Sequence, residues 1–247
     1  MYKEFIKNLR QGNFTKDGKV DKRRTYIAVI DTETCLDKKI YGEDNIREGY
    51  VYDVGWTICD KKGNVYQTRS FLVEETFAKR WDLMTTCYFA NKIPMYLNRV
   101  ANKQITIKPW SFIIQEFRRT LKEFNCTIAC AHNMGFDYKV LRNTCKYVGG
   151  NPYFFPYGIE LWDTMRMWQT CIANRPTYKA FCEMNGFLTA KYKRPQSTAE
   201  AAYAYITSNP DFTEEHTALA DTLIEAQILA YCFRQHKKMR RLAFNPK

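Results

Sequence analysis

The sequence predicts an α/β fold in which a mixed β-sheet is flanked by helices. Three strand-like runs come first, and helices and strands then alternate before a long helical end, which is the order expected of such a sheet. Apolar residues make up 45% of the 247 residues, enough to bury a sizeable core. One large domain or two small ones fit this length, because single α/β domains reach roughly 250 residues.

The first three predicted strands are short, apolar and rich in β-branched residues. Residues 26–30 form the first strand, and Asp31 follows it directly. Residues 50–59 and 65–73 form the next two, and the polar turn 60–64 between them suits an antiparallel hairpin. These strands begin the sheet.

Helices and strands alternate in the middle of the chain. Apolar side chains recur at helical spacing from just after Pro109 to Phe124, which predicts an amphipathic helix. A strand over 127–131, a helix over 136–148 and a short strand over 159–162 follow.

The remaining segments are predicted to be mostly helical. Helices are expected over most of 164–206, and a long last helix over 217–236. Segment 74–108 mixes aromatic and charged residues without a clean period, and we expect a helical excursion there.

Charge and cysteine content restrict the class of protein. The formal net charge of +12 predicts an anionic partner. No run is long and apolar enough for a membrane helix, and the first thirty residues lack an apolar signal segment. We therefore expect a soluble cytoplasmic protein, in the host cytoplasm if a phage encodes it. Nine cysteines without a Cys-x-x-Cys pair favour reduced, buried thiols over disulfides or a zinc knuckle.

Two carboxylates follow the first predicted strand. Asp31 and Glu33 are two residues apart, so both lie on the same face of the sheet. An isolated Asp-x-Glu pair is weak evidence, because chance or a structural role accounts for most such pairs. Their place at the mouth of a buried strand, however, suits Mg²⁺ or Mn²⁺, which prefer hard oxygen ligands.

Three more titratable residues come later in the chain. Asp137 follows the strand 127–131, although an acid in a first helical turn is also a common stabilising feature. His216 and Asp221 would point about 140° apart on one continuous helix. They can face a common centre only if His216 lies in the loop before the helix, with Thr217 as its N-cap. Taken singly, His216 also fits a solvated loop histidine, and Asp221 an exposed acid in a first helical turn.

In this order, the three segments resemble the motifs of the DEDDh 3′–5′ exonuclease family, the DnaQ-like group with an RNase H-like fold. Residues 29–34 (Val-Ile-Asp-Thr-Glu-Thr) look like the first motif and residues 128–137 like the second. Residues 216–221 have the His-x-x-x-x-Asp spacing of the third. Thr217 occupies the position where an alternative subclass has Tyr, so the histidine subclass fits.

The resemblance also divides the chain. It implies an RNase H-like exonuclease domain with a mixed central sheet and helical insertions, preceded by a basic arm and followed by a basic tail. The implied bounds are 1–24 for the arm, 25–236 for the domain, 237–247 for the tail, and 74–108 and 164–212 for divergent insertions.

The resemblance implies a metal-dependent 3′–5′ exonuclease that hydrolyses single-stranded DNA, or RNA, to nucleoside 5′-monophosphates. Two Mg²⁺ or Mn²⁺ ions are implied, and a histidine general base. The implied metal ligands are Asp31, Glu33, Asp137 and Asp221, and the implied base is His216. Further substrate contacts are expected from Thr32, Thr34, Asn133, Phe136, Lys191, Lys193 and Arg194.

Other functions stay open at this point. A ribonuclease or an oligonucleotidase of the same family would act on RNA or on short or cyclic oligonucleotides, with segment 74–108 closing the cleft. A non-catalytic nucleic-acid-binding module would use the basic surface without cutting. A homodimer or a replication-protein partner also remains open. Glu225 is interpreted as a surface or helix-pairing residue and Asp163 as a structural one.

Overall fold

The computed structural model of the protein describes residues 12, 14–15, 18–43 and 45–244. Its strands are β1 (Tyr26–Cys35), β2 (Tyr50–Asp60), β3 (Val65–Val73), β4 (Thr106–Lys108), β5 (Ile128–Ala131) and β6 (Glu160–Asp163). Its longer helices are α1 (Ile93–Ala101), α2 (Trp110–Glu123), α3 (Met134–Val148), α4 (Thr164–Cys171), α5 (Pro176–Asn185), α6 (Ala199–Thr207) and α7 (Ala218–Arg234). Most of the predicted basic arm lies outside the described residues.

The predicted α/β class is confirmed, because these strands form one mixed sheet in the order β4-β3-β2-β1-β5-β6. Strands β1, β2 and β3 are antiparallel neighbours, whereas β1 with β5, β5 with β6 and β3 with β4 are parallel. The predicted hairpin is present, and Asp60 stabilises its turn by accepting hydrogen bonds from the backbone of Lys62 and Asn64.

Strand β1 is longer than the sequence predicts. It continues to Cys35 because β2 supplies backbone partners along its whole length. Asp31 and Glu33 therefore lie inside the strand, opposite Gly55 and Asp53 of β2. Pairing with β2 determines where the strand ends, so the strand predicted from the local apolar run is too short.

Helices cover both faces of the sheet. Tyr26, Ala28 and Ile30 of β1 point into a core that α2 and α3 complete. Ile27 and Val29 point into the opposite core, which α4, α5, α6 and α7 complete. Since side chains alternate along a strand, Asp31 and Glu33 continue the row that faces α7.

Segment 74–108 is only partly helical. It contains a π-helical turn (Glu74–Ala78), a short helix (Trp81–Met84) and α1, and it then ends in β4. Strand β4 pairs with residues 71–73 of β3. The end of this segment, which was expected to be helical, is therefore an edge strand of the sheet. The segment has its own small core, which includes Phe77 and Tyr96.

The last described residues lie along the outer edge of β6. The backbone N–H of Asp163 donates to the carbonyl of Arg241 at 2.8 Å, and that of Ala243 donates to Leu161 at 2.9 Å. Ala243 is buried by this contact. The predicted division into arm, domain and tail stays a prediction.

Two further expectations concern the whole chain. All nine cysteines are buried and unpaired, in agreement with reduced thiols. None of the helices in the described part of the chain has the length and apolar character needed to span a membrane.

Candidate active site

A cavity of about 710 Å³ opens where β1 meets α7, and its wall is rich in carboxyl groups. Glu33 is buried, whereas Asp31 is partly accessible from the cavity. The pleat of β1 aims both toward α7. The cavity wall carries the acidic side chains of Asp31, Glu33, Glu214, Asp221 and Glu225.

The first turns of α7 supply two of these carboxyls. Asp221 and Glu225 are four residues apart on one helix, so they share a face, and both are buried there. The helix comes this close to the sheet because Gly55 of β2 has no side chain. A Cβ at Gly55 would lie only 2.7 Å from the backbone nitrogen of Leu219. Gly55 is also the residue that pairs with Asp31, so this contact sets the depth of the site.

The start of α7 is held by a carboxylate of the neighbouring strand. Asp53 Oδ2 accepts hydrogen bonds from the backbone N–H of Ala218 at 3.1 Å and from the Tyr96 hydroxyl at 2.8 Å. Thr217 is the N-cap residue, as predicted, but its hydroxyl donates to Glu215 instead of capping the helix. The capping acceptor is therefore Asp53.

His216 lies in the loop before α7, with a left-handed backbone at φ 50°, as the spacing argument requires. Its ring stacks on Phe89 with centroids 4.7 Å apart, and its Nδ1 is 3.5 Å from a Glu214 carboxylate oxygen. Lys92 Nζ donates to the carbonyl oxygens of Glu215 at 2.6 Å and His216 at 3.0 Å. Segment 74–108 therefore supports the loop that carries the histidine.

Asp137 lies behind the cavity wall rather than on it. It is buried in the first turn of α3 and accepts a hydrogen bond from the Thr32 hydroxyl at 2.8 Å. Thr32 itself lines the cavity between Asp31 and Glu33. Thr32 therefore links Asp137 to the part of β1 that carries Asp31 and Glu33.

The predicted substrate contacts divide into two groups. Asn133 and Arg194 line the cavity together with Thr32, whereas Thr34, Phe136, Lys191 and Lys193 do not. Asn133 adopts a left-handed backbone at φ 78°, and its N–H donates to Asp163 at 3.2 Å. Arg194 lies over the ring of the exposed Tyr192. Contact of these residues with substrate stays a prediction.

Burial dominates the electrostatics of the cavity. It raises the pKa of Asp31, Glu33 and Asp221 well above the ordinary carboxyl range, and neighbouring carboxylates raise each pKa further. Burial also raises the pKa of Asp137 to about 7. The pKa of His216 is lowered by burial and then by the charge of Lys92, so its ring is neutral at pH 7.

The carboxyl cluster contains hydrogen-bond acceptors for which the described part of the protein provides no donor. Among the described residues, Glu214 Oε1, Asp221 Oδ1 and Glu225 Oε2 are buried without a hydrogen-bond partner. Ligand atoms of Glu33, His216 and Asp221 all lie within 4.8 Å of one another. Carboxylate oxygens with one imidazole nitrogen form a donor set that divalent cations accept.

Several contributors to this site were not identified from the sequence, among them Glu225, Gly55 and Lys92. Glu225 is 2% exposed and lines the cavity, so its interpretation as a surface residue is wrong. Its spacing of four from Asp221 was the available signal. The sequence around Gly55 and around Lys92 does not indicate a role in the site, because each residue contacts a segment that is distant in the chain.

The fold of this chain is similar to that of solved exonuclease I structures. The fold resembles the zinc-bound E. coli ExoI–ssDNA complex (TM-score 0.51, 14% identity), over 87% of this chain and 42% of that chain. It likewise resembles exonuclease I from Methylocaldum szegediense (TM-score 0.53, 17% identity), over 86% of this chain and 41% of that one. No protein-family model and no curated protein matches the sequence. The chain spans about two fifths of the length of these structures.

Proposed function

We propose that this protein is a metal-dependent 3′–5′ exonuclease that acts on single-stranded DNA. The observation that carries the proposal is the buried carboxylate cavity, where donor atoms of Glu33, His216 and Asp221 lie within 4.8 Å and an Asp221 oxygen has no partner. The proposed metal ligands are Asp31, Glu33, Asp137 and Asp221.

The fold and the surface of the cavity support a nucleic-acid substrate. Solved structures with this fold include exonuclease I with bound single-stranded DNA. Arg194 and the exposed Tyr192 stand at the cavity wall, where a guanidinium can meet a phosphate and an aromatic ring can stack on a base. The net charge of +12 attracts the polyanion over a longer range.

The chemistry divides between bound cations and the side chains of the chain. When bound, Mg²⁺ or Mn²⁺ supplies activation of the attacking water and neutralises charge that develops on the scissile phosphate. His216 is neutral at pH 7, so a ring nitrogen can accept the proton of that water. Glu214, 3.5 Å from Nδ1, then stabilises the protonated ring. Lys92 and Phe89 keep the ring in place.

Digestion of labelled oligonucleotides tests the proposal. We expect the purified protein to release nucleoside 5′-monophosphates from the 3′ end of single-stranded DNA in Mg²⁺ or Mn²⁺, and to be inactive in EDTA. Asp221→Asn should lower the rate by more than about 10²-fold, because a metal ligand is worth several kcal/mol. Asp211→Asn, at an exposed position in the preceding loop, is the matched control.

Several outcomes would contradict the assignment. Near-wild-type digestion by Asp221→Asn, or digestion in excess EDTA, would remove the metal site from the mechanism. Binding without cleavage would favour the non-catalytic module. Single-stranded RNA, dinucleotides and substrates with a blocked 3′ end, used in the same assay, separate the exonuclease from the ribonuclease and oligonucleotidase alternatives.

A further inference from the structure

Glu225 is a fifth carboxyl group beside the four proposed metal ligands. It lies one helical turn after Asp221 on the same face of α7, and only 2% of its surface is exposed. It lines the cavity that also contains Asp31 and Glu33. A purely structural role would require its polar atoms to be satisfied by the surrounding protein.

The surroundings of Glu225 satisfy its carboxyl group only in part, because the backbone of His132 is its hydrogen-bond partner, whereas one oxygen has none. Its Oε2 atom is buried and has no hydrogen-bond partner among the described residues. A protonated carboxyl would need an acceptor there, and an ionised one would need a cation. Within the described part of the chain, no basic side chain forms an ion pair with Glu225. A divalent cation bound at this oxygen would account for both observations.

Glu225 stands beside the proposed metal ligands. It lines the same cavity as Asp31, Glu33 and Asp221, and like Asp221 it has a buried carboxylate oxygen without a hydrogen-bond partner among the described residues. Besides burial, its charge also raises the pKa of Asp31, so these carboxyl groups are close enough to interact electrostatically.

We propose that Glu225 is a direct ligand of one of the divalent cations in this cavity. The proposal rests on the proposed function in placing divalent cations in this cavity. An additional carboxylate strengthens an oxygen site, because it adds a full negative charge. The cation that Glu225 holds should therefore bind before any nucleic acid is present, without help from a substrate phosphate.

Mn²⁺ titration of the metal-free protein, followed by electron paramagnetic resonance without nucleic acid, tests this assignment. We expect two Mn²⁺ per wild-type chain. Glu225→Gln should keep one and weaken the other by tenfold or more, since even outer-shell partners of a metal contribute about 10- to 100-fold in affinity. Glu225→Asp keeps a carboxylate on a shorter side chain, so its affinity for the second Mn²⁺ should lie between those of the wild type and Glu225→Gln. Glu116→Gln, at a shielded carboxylate paired with Arg119 far from the cavity, is the control.

Thermal unfolding separates a ligand from a structural residue. If Glu225 is a ligand, Glu225→Gln should have a Tm in EDTA at or above that of the wild type, and a smaller rise in Tm on adding Mn²⁺. Two Mn²⁺ bound to Glu225→Gln with wild-type affinity would overturn the proposal, as would a lower Tm in EDTA with an unchanged Mn²⁺ response. If Glu225→Gln does not fold, Glu225→Asp decides by the same titration.

The outcome is independent of nuclease activity. A wild-type protein that binds two Mn²⁺ through Glu225 but digests no nucleic acid would refute the proposed function and leave this assignment standing. If the wild-type protein digests single-stranded DNA and Glu225→Gln binds Mn²⁺ like the wild type, the proposed function stands and the assignment of Glu225 as a ligand is refuted.

Discussion

The contact between Gly55 and α7 makes one substitution especially informative. In Gly55→Ala, the new Cβ would lie 2.7 Å from the nitrogen of Leu219 and 2.8 Å from the carbonyl carbon of Ala218. Ordinary van der Waals contact begins near 3.4 Å, so the first turn of α7 has to recede by about 0.7 Å. Both neighbours are backbone atoms, which cannot rotate away as a side chain can.

Two opposing effects determine the stability of Gly55→Ala. Alanine gains about 0.5–1 kcal/mol over glycine inside a regular element. Overpacking a close contact costs about 1–3 kcal/mol, so the clash outweighs the gain. For a chain of this size each kcal/mol corresponds to about 2–4 °C, and we expect Tm to fall by several degrees.

The effect on catalysis should exceed the effect on stability. Asp221 lies two residues beyond Leu219 and moves with the same helical turn. A displacement of about 1 Å at a catalytic group can cost about 10²-fold in rate, so we expect kcat/KM to fall by about 10- to 100-fold. The assay combines digestion of 3′-labelled single-stranded DNA with calorimetric unfolding.

Gly150→Ala is the matched control, because a Cβ there meets nothing within 4 Å. It should leave both quantities unchanged. A Gly55→Ala protein with the Tm and digestion rate of the wild type would show that α7 does not depend on this close approach, and the reasoning would fail.

Two further predictions concern the histidine loop and pH. Lys92→Met removes the ammonium group that donates hydrogen bonds to the carbonyls of Glu215 and His216. We expect kcat for digestion to fall by about tenfold or more with little change in KM. The control is Lys79→Met, in the exposed Lys79–Glu74 pair of the same segment, which should digest normally. In EDTA, Tm should fall as pH rises from about 5 to about 7. The folded protein keeps protons on carboxyls such as Asp137, with a pKa raised to about 7, that the unfolded chain has already released. The histidines with a lowered pKa oppose this trend, but the carboxyl groups with a raised pKa outnumber them. Excess Mn²⁺ should reduce the fall, and a Tm in EDTA that rises steadily over this range would contradict the buried-carboxyl argument.

The parts of the site that local periodicity determines could be predicted. The two-residue period of β1 places Asp31 and Glu33 on one face, and the five-residue spacing requires His216 to precede α7. Both predictions need only the geometry of one element. The α/β class followed in the same way, from the order of apolar runs.

The parts that depend on distant segments could not be predicted. Glu225 is buried because α7 packs between the sheet and neighbouring helices, whereas its spacing from Asp221 indicates only that the two residues share a face of the helix. Lys92 reaches the His216 loop from more than a hundred residues away. The end of segment 74–108 became β4 because β3 offered a free edge, and no helical or strand period within the segment records that partner.

The segment that lies along β6 affects how copies of this protein could associate. Residues 241–243 take up hydrogen-bonding positions on the outer side of β6, at the backbone of Leu161 and Asp163. An open strand edge can add a strand from a second molecule, but an edge whose donors and acceptors are already paired cannot. Strand β4, at the opposite edge, is only three residues long. A second copy of this chain therefore cannot add a strand directly to β6 at these residues.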